Sequence, residues 1–145
     1  MNITVTRWHD FSYGHRVYGH ENKCAGLHGH NGRVHFTCTA PQLDMLGRVI
    51  DFSVIKSKLC DWVEDNWDHK FLLWYDDPLR LRLHDSPIDE AARHSIKVVM
   101  FNPTAENMAQ HLFKVIGPKE LEGTGITLVK VVLEETRKCS AEVSI

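Results

Sequence analysis

Alternation of residue types in two segments around a short loop constrains the fold of this chain more than any other feature. Residues 3–15 predict a β-strand with one buried face, because ring-bearing side chains fall on every second position from 9 to 15. Residues 16–27 have the composition of a loop, and residues 28–40 are again rich in β-branched and aromatic side chains. The alternating positions of the first segment are His9, Phe11, Tyr13 and His15. The chain is therefore expected to start with two strands joined by a loop.

Pairing of these two strands would bring three histidines together. In an antiparallel pair the end of the first strand lies beside the start of the second, so His15 is expected next to His28 and His30. His28 and His30 share a face, because side chains two positions apart on a strand point the same way. Three imidazoles without an obligatory fourth protein ligand are typical of a catalytic zinc site with one open position. The sequence therefore predicts a metal site formed by His15, His28 and His30.

Cys24 lies four residues before His28 and has two possible roles at such a site. A nearby metal ion lowers the pKa of a thiol, so Cys24 is a candidate general base. A thiolate is also a good fourth zinc ligand, which would close the site and make it structural. The spacing permits both roles.

The rest of the chain predicts further helices and strands in the order helix, strand, helix, strand, strand. The predicted helices cover residues 53–66 and the stretch from the Thr104 cap to Gly117-Pro118, and the predicted strands cover 96–101, 125–136 and 141–145. Residues 74–95 are the least regular part, and we expect one or two helical turns in a surface segment there. This order indicates one α+β domain over residues 1–145, with helices on one face of a mainly antiparallel sheet.

Composition and charge favour some classes of partner and exclude others. The net charge of -2 gives no electrostatic footprint for nucleic acid or an anionic membrane. No apolar run approaches the roughly 20 residues that span a bilayer, and the first residues lack the apolar core of a signal peptide. The four cysteines are then expected to be thiols. We expect a cytoplasmic protein with no nucleic-acid and no membrane partner.

Six landmarks spread over the chain resemble one enzyme family. In chain order they are Phe11-Ser12 before His15, Cys24 before His28-Gly29-His30-Asn31, Gly47-Arg48-Val49-Ile50-Asp51-Phe52, Asp68-His69 before Phe71-Leu72, Asn102-Pro103-Thr104-Ala105-Glu106-Asn107, and Glu135-Thr136. Together they resemble the 6-pyruvoyltetrahydropterin synthase and 6-carboxytetrahydropterin synthase family. The resemblance implies the tunnelling fold, with a four-stranded antiparallel sheet, two main helices on one face, and homo-oligomers (hexamer or tetramer) whose sheets form a β-barrel. It also implies a Zn²⁺-dependent lyase acting on 7,8-dihydroneopterin triphosphate at sites formed between subunits.

The gap of three residues between Cys24 and His28 resembles the bacterial 6-carboxytetrahydropterin synthases of queuosine and 7-deazaguanine biosynthesis. The implied reaction yields 6-carboxy-5,6,7,8-tetrahydropterin, acetaldehyde and triphosphate. Two alternatives stay open, namely 6-pyruvoyltetrahydropterin synthesis by triphosphate elimination alone, and a non-catalytic zinc- or pterin-binding protein. The segment 74–98 is longer than in compact family members.

The resemblance also implies roles for individual residues. Cys24 is the expected general base. If its thiolate instead closed the metal coordination shell, the proton-handling pair Asp68 and His69 would have no reaction to support. We expect these two neighbours to point apart, as adjacent residues on a strand do.

The substrate is expected to be bound by carboxylates and by basic side chains. Glu135 would accept hydrogen bonds from the pterin ring, with Glu134 on the opposite face of the strand, while Thr136 and Glu106 are further substrate-binding candidates. The basic residues near the motifs that could bind the triphosphate are Arg16, Lys23, Arg33, Arg137 and Lys138.

Overall fold

The computed structural model describes residues 2–85 and 89–145. The strands are β1 (Thr4–His15), β2 (His28–Thr39), β3 (Lys70–Trp74), β4 (Ile96–Val99), β5 (Thr127–Glu134) and β6 (Ser140–Ser144). The helices are α1 (residues 52–66), α2 (Arg80–Leu83), α3 (Glu90–Ser95) and α4 (residues 105–120), and α1 and α4 each contain a π-helical turn, at Lys56–Cys60 and Leu112–Ile116. A 3₁₀ turn, Lys23–Ala25, lies in the loop between β1 and β2. Residues 86–88, part of the predicted surface segment, lie outside the described residues.

The described strands form one six-stranded sheet in the order β4-β3-β1-β2-β5-β6. The pairs β1–β2, β2–β5 and β5–β6 are antiparallel, which confirms the mainly antiparallel α+β class. The expectation of a four-stranded antiparallel sheet is wrong, because β3 and β4 add two parallel strands at the edge of β1. Parallel neighbours need long crossover connections, and the chain supplies them through α1 and through residues 75–95.

Two main helices cover one face of the sheet, as predicted. α1 begins at Asp51, whose side chain accepts a hydrogen bond from Ser53 N, and α4 begins at Thr104, whose hydroxyl accepts one from Asn107 N at 3.1 Å. Their apolar faces and the inner face of the sheet form the core, which includes Val34, Phe36, Ile55, Leu59, Met108, Leu112, Val131 and Leu133. No helix in the described ranges is long and apolar enough to cross a membrane.

The predicted end of α4 at Gly117-Pro118 is wrong, because the helix continues to Glu120. The amide of Gly117 donates to Leu112 O, five residues back, so the helical turn is widened just before the proline. Pro118 then opens the last turn, where its missing N–H is not needed. Gly117 also packs so closely against β5 that a Cβ atom there would lie 2.3 Å from Leu128 Cδ2.

Candidate metal centre and active site

The pairing of β1 with β2 brings the three predicted histidines together. His15 is paired with His28, and Tyr13 with His30, so the three imidazoles lie on the helix-covered face of the sheet. Their ring centroids are 4.6 Å apart for His15 and His28 and 5.0 Å apart for the other two pairs. The predicted convergence of the three histidines is confirmed.

Two backbone carbonyls fix the orientation of two of these rings. His15 is fully buried and donates from Nδ1 to Pro103 O at 2.6 Å, and His28 donates from Nδ1 to Gly26 O at 2.7 Å. A carbonyl only accepts hydrogen bonds, so it holds the proton on Nδ1 and leaves the Nε2 lone pair for a metal ion. Sequence reasoning missed both carbonyls, since a backbone oxygen is present in every residue and carries no residue-type signal.

Glu135 completes a group of four potential metal ligands. Its Oε1 atom lies 3.2 Å from Nε2 of His15 and 3.2 Å from Nε2 of His30. One ligand atom from each of His15, His28, His30 and Glu135 lies within 4.8 Å of the others. A set of imidazole nitrogens and a carboxylate oxygen suits Zn²⁺, so the residues present fit the metal that the family resemblance implies.

The environment of the cluster favours neutral imidazoles, the form that binds a metal ion. Burial lowers the pKa of His15 below its usual value, and the neighbouring His28 and His30 lower it further. Burial likewise lowers the pKa of His30. The hydrogen bond to Pro103 opposes the lowered pKa of His15, and the carboxylate of Glu135 opposes the lowered pKa of both histidines, without reversing either shift.

Cys24 is partly buried in the 3₁₀ turn between β1 and β2. Within residues 2–85 and 89–145, the four-ligand group contains Glu135 and not Cys24. The geometry of the group therefore gives no support to Cys24 as the ligand that closes the metal shell.

Asp68 and His69 are in direct contact, so the expectation that they point apart is wrong. Asp68 accepts hydrogen bonds from Ser12 N at 2.8 Å and from His69 Nδ1 at 2.6 Å. The contact between neighbours is possible because His69 precedes β3 and has a left-handed backbone with a φ of 57°. Although burial would raise the pKa of Asp68, these hydrogen bonds outweigh it and hold the pKa below its usual range. The His69 side chain is 81% exposed.

Two neighbouring cavities relate this pair to the metal ligands. His30 and His69 line a cavity of about 460 Å³, and Asp68 and Thr136 line another of about 630 Å³. Ser12 belongs to the walls of both cavities. His69 therefore shares a cavity with His30, whereas Asp68 and Thr136 line the neighbouring cavity.

The two glutamates at the end of β5 lie on opposite faces, as predicted. Glu134 Oε2 is 2.5 Å from His35 Nε2 on the uncovered face of the sheet, whereas Glu135 reaches the metal group on the covered face. The third predicted glutamate, Glu106, is exposed in the first turn of α4 and lines a cavity of about 470 Å³ beside β6. It lies three residues after Pro103.

Two of the basic residues that were candidates for the triphosphate already have carboxylate partners. Arg16 makes two short hydrogen bonds to Asp77, and Arg33 makes two to Asp10. Arg33 and Arg137 both line the 630 Å³ cavity.

Comparison with known proteins gives the same family throughout. The model of the 6-pyruvoyl tetrahydropterin synthase family matches residues 4–145. The chain is 38% identical to the 6-carboxy-5,6,7,8-tetrahydropterin synthase of Rickettsia felis and 39% identical to that of Rickettsia typhi. Each match covers 97% of this chain and 99% of the relative.

Solved structures share the fold. An uncharacterised protein from Wolinella succinogenes superposes with a TM-score of 0.88 at 24% identity, over 99% of this chain and 98% of the other. The 6-pyruvoyl tetrahydropterin synthase of Caenorhabditis elegans superposes with a TM-score of 0.70 at 22% identity, over 100% of this chain and 96% of the other.

Proposed function

The chain belongs to the 6-pyruvoyl tetrahydropterin synthase family, and from this we propose that it converts 7,8-dihydroneopterin triphosphate to 6-carboxy-5,6,7,8-tetrahydropterin. Acetaldehyde and triphosphate are the other products. The convergence of His15, His28 and His30 beside Glu135 is the observation that carries the proposal. The names of the Rickettsia relatives, matched over nearly their whole length, favour the 6-carboxy product over the 6-pyruvoyl product.

His15, His28 and His30 would hold Zn²⁺, which when bound supplies Lewis acidity toward the hydroxyl groups of the substrate side chain. The protein's own part is to keep the imidazoles neutral and correctly oriented. Burial does the first, and the carbonyls of Pro103 and Gly26 do the second.

Cys24 and the pair Asp68 and His69 would move protons. Cys24 removes a proton from the pterin side chain as general base. Asp68 is held ionised and accepts a hydrogen bond from Nδ1 of His69, which leaves Nε2 of His69 to exchange a proton with the substrate. The high exposure of His69 supports a site that a second subunit completes, in a homo-oligomer such as a hexamer or tetramer.

The pterin ring needs a carboxylate to bind its adjacent N–H donors. Glu135 is the proposed anchor, with Glu106 and Thr136 as further candidate contacts. Glu135 lies against two imidazoles, where it has a second possible task as a metal ligand. Glu106 is exposed and lines a separate cavity beside β6.

Product analysis tests the reaction. The purified protein, loaded with Zn²⁺, is incubated with 7,8-dihydroneopterin triphosphate and the products are identified by mass. We expect a carboxypterin and acetaldehyde. A pyruvoyl product would replace the proposal by the 6-pyruvoyl reaction, and tight pterin binding without turnover would replace it by a non-catalytic role.

Cys24→Ala should abolish turnover and retain the metal, whereas the control Cys139→Ala, at an exposed thiol, should change neither.

Three glutamate variants separate ring binding from metal binding. Glu106→Gln and Glu135→Gln should each weaken pterin binding, because the amide loses one acceptor and the charge. Glu134→Gln is the matched control on the opposite face and should leave pterin affinity unchanged. Loss of metal in Glu135→Gln with normal pterin affinity would assign Glu135 to the metal alone.

A further inference from the structure

We infer that the ion pair between Arg16 and Asp77 positions the turn that carries Cys24. Asp77, in the segment after β3, would then influence the reactivity of Cys24 without touching it. The inference deepens the proposed function, since it rests on that function for the role of Cys24. Its structural part, the control of the turn by the ion pair, stands on contacts alone.

The ion pair itself is buried and geometrically defined. Arg16 Nε donates to Asp77 Oδ2 at 2.7 Å, and Nη2 donates to Asp77 Oδ1 at 2.6 Å. The Asp77 side chain is 1% exposed and the Arg16 side chain 19%. Asp77 also accepts from Leu79 N at 2.9 Å, which ties the carboxylate to its own segment. Two parallel bonds to one carboxylate fix the plane of the guanidinium group as well as its position.

The same stretch of chain holds the Cys24 turn. Val17, next to Arg16, donates from its backbone N to Cys24 O at 2.8 Å. Arg16 Nη1 lies 3.5 Å from Ala25 O, at the far limit of a hydrogen bond. Residues 16 and 17 therefore contact two successive carbonyl groups of the turn, and the position of Arg16 is set by Asp77.

A second contact ties this stretch to the segment that orients the metal ligand. Tyr18 N donates to Asn102 Oδ1 at 3.3 Å, and Asn102 Nδ2 donates to Tyr18 O at 3.0 Å. Asn102 precedes Pro103, whose carbonyl holds His15. Tyr18 therefore connects the stretch beside the Cys24 turn to the segment that orients His15, while the bond from His15 to Pro103 O does not involve Asp77.

Stability alone is a weak explanation for such a pair. A buried ion pair often contributes little net stability, because desolvation of both charges offsets their attraction. Arg16 and Asp77 both lie in connecting segments outside the strands and helices. The pair instead fixes the geometry between those two segments. This matters for catalysis, because displacement of a reacting group by about 1 Å lowers a rate by up to about 100-fold.

The reactivity of Cys24 measures the position of the turn directly. We compare the rate of alkylation of Cys24 by iodoacetamide with that of the exposed Cys139 in the same molecule, by peptide mass spectrometry. Asp77→Asn should change the Cys24:Cys139 ratio several-fold and lower kcat about 10- to 100-fold with little change in KM. The metal content should stay as in the wild type. Asp85→Asn is the matched control, since it removes a carboxylate paired with Arg80 in the same segment.

A second variant keeps the test valid if Asp77→Asn folds poorly. Arg16→Lys preserves the positive charge, but one ammonium group cannot make two parallel bonds to Asp77 and also reach Ala25. We expect a smaller change in the same ratio and in kcat. The inference would be overturned if Asp77→Asn left the Cys24:Cys139 ratio unchanged or lost the metal. It would also be overturned if Asp85→Asn changed the ratio equally. Absence of turnover in the wild type would refute the proposed function, while the alkylation ratio would still decide the positioning.

Discussion

Replacement of Tyr13 by Phe is expected to stabilise the protein, although the substitution removes a polar group beside the metal ligands. Tyr13 is 3% exposed, and its buried hydroxyl has no hydrogen-bond partner among the described residues. The ring stacks on Phe11 at a centroid distance of 5.0 Å and meets the ring of His15 edge-on at 5.2 Å. Phe preserves both ring contacts and removes only the hydroxyl.

The size of the effect follows from the lost desolvation penalty. A buried hydroxyl without a partner costs about 1–3 kcal/mol, and we expect a gain of about 1–2 kcal/mol in the free energy of unfolding. Unfolding entropies of about 2.1 cal/mol/K per residue give about 0.3 kcal/mol/K for 145 residues, so the midpoint temperature should rise by about 3–7 °C. The ring packs closely against the glycine on the neighbouring strand, since a Cβ at Gly32 would lie 2.9 Å from Tyr13 Cε1.

Calorimetry on the chelator-treated proteins measures this change without a contribution from bound metal. Tyr18→Phe is the matched control, since its side chain is 42% exposed and its hydroxyl meets water. We expect that control to stay within about 0.5 kcal/mol of the wild type. An unchanged or lowered midpoint for Tyr13→Phe would refute the reasoning, because it would mean that the hydroxyl makes a stabilising hydrogen bond in solution.

Three further predictions concern packing, the metal and acid stability. Gly117→Ala should destabilise the protein by about 1–3 kcal/mol in urea unfolding, because the added methyl group would clash with Leu128, and a neutral effect would contradict the packing. His30→Ala should lose Zn²⁺ in elemental analysis, whereas His35→Ala, on the opposite face, should retain it. Burial opposes ionisation of Asp77, but the hydrogen bonds from Arg16 and Leu79 N and the charge of Arg16 hold its pKa below the usual range. Its contribution to stability is therefore complete above the unfolded-state pKa of about 3.9 and lost as the pH falls through the folded-state value. Asp77→Asn should flatten the acid side of the stability curve, and equal slopes for variant and wild type would refute this.

The convergence of the three histidines could be predicted from the sequence because the information is local. Alternation placed His28 and His30 on one face, and a short loop between two strands placed His15 opposite His28. Only one assumption, antiparallel pairing of consecutive strands, was needed. Thr104 was recognised as a helix cap for the same reason, since its partner is only three residues away.

β3 could not be predicted in the same way. It is five residues long and both Leu72 and Leu73 are buried, so it lacks the alternation that marks a strand with one exposed face. Its pairing with β1 is parallel and depends on the intervening helix packing against the sheet. The contact between Asp68 and His69 was missed because it requires the left-handed backbone of His69, which is uncommon in non-glycine residues even though histidine is among the types enriched there.

The hydrogen bond between His15 and Pro103 can form only late in synthesis, after the two strands that carry the histidines are complete. Once residues 1–40 have left the ribosome, the hairpin already contains all three imidazoles that we propose as metal ligands. The carbonyl that fixes the ring of His15 belongs to a residue 88 positions later and is not yet made. We therefore expect early capture to be loose and exchangeable, with tight and selective retention of the ion beginning only when the start of α4 docks onto the sheet.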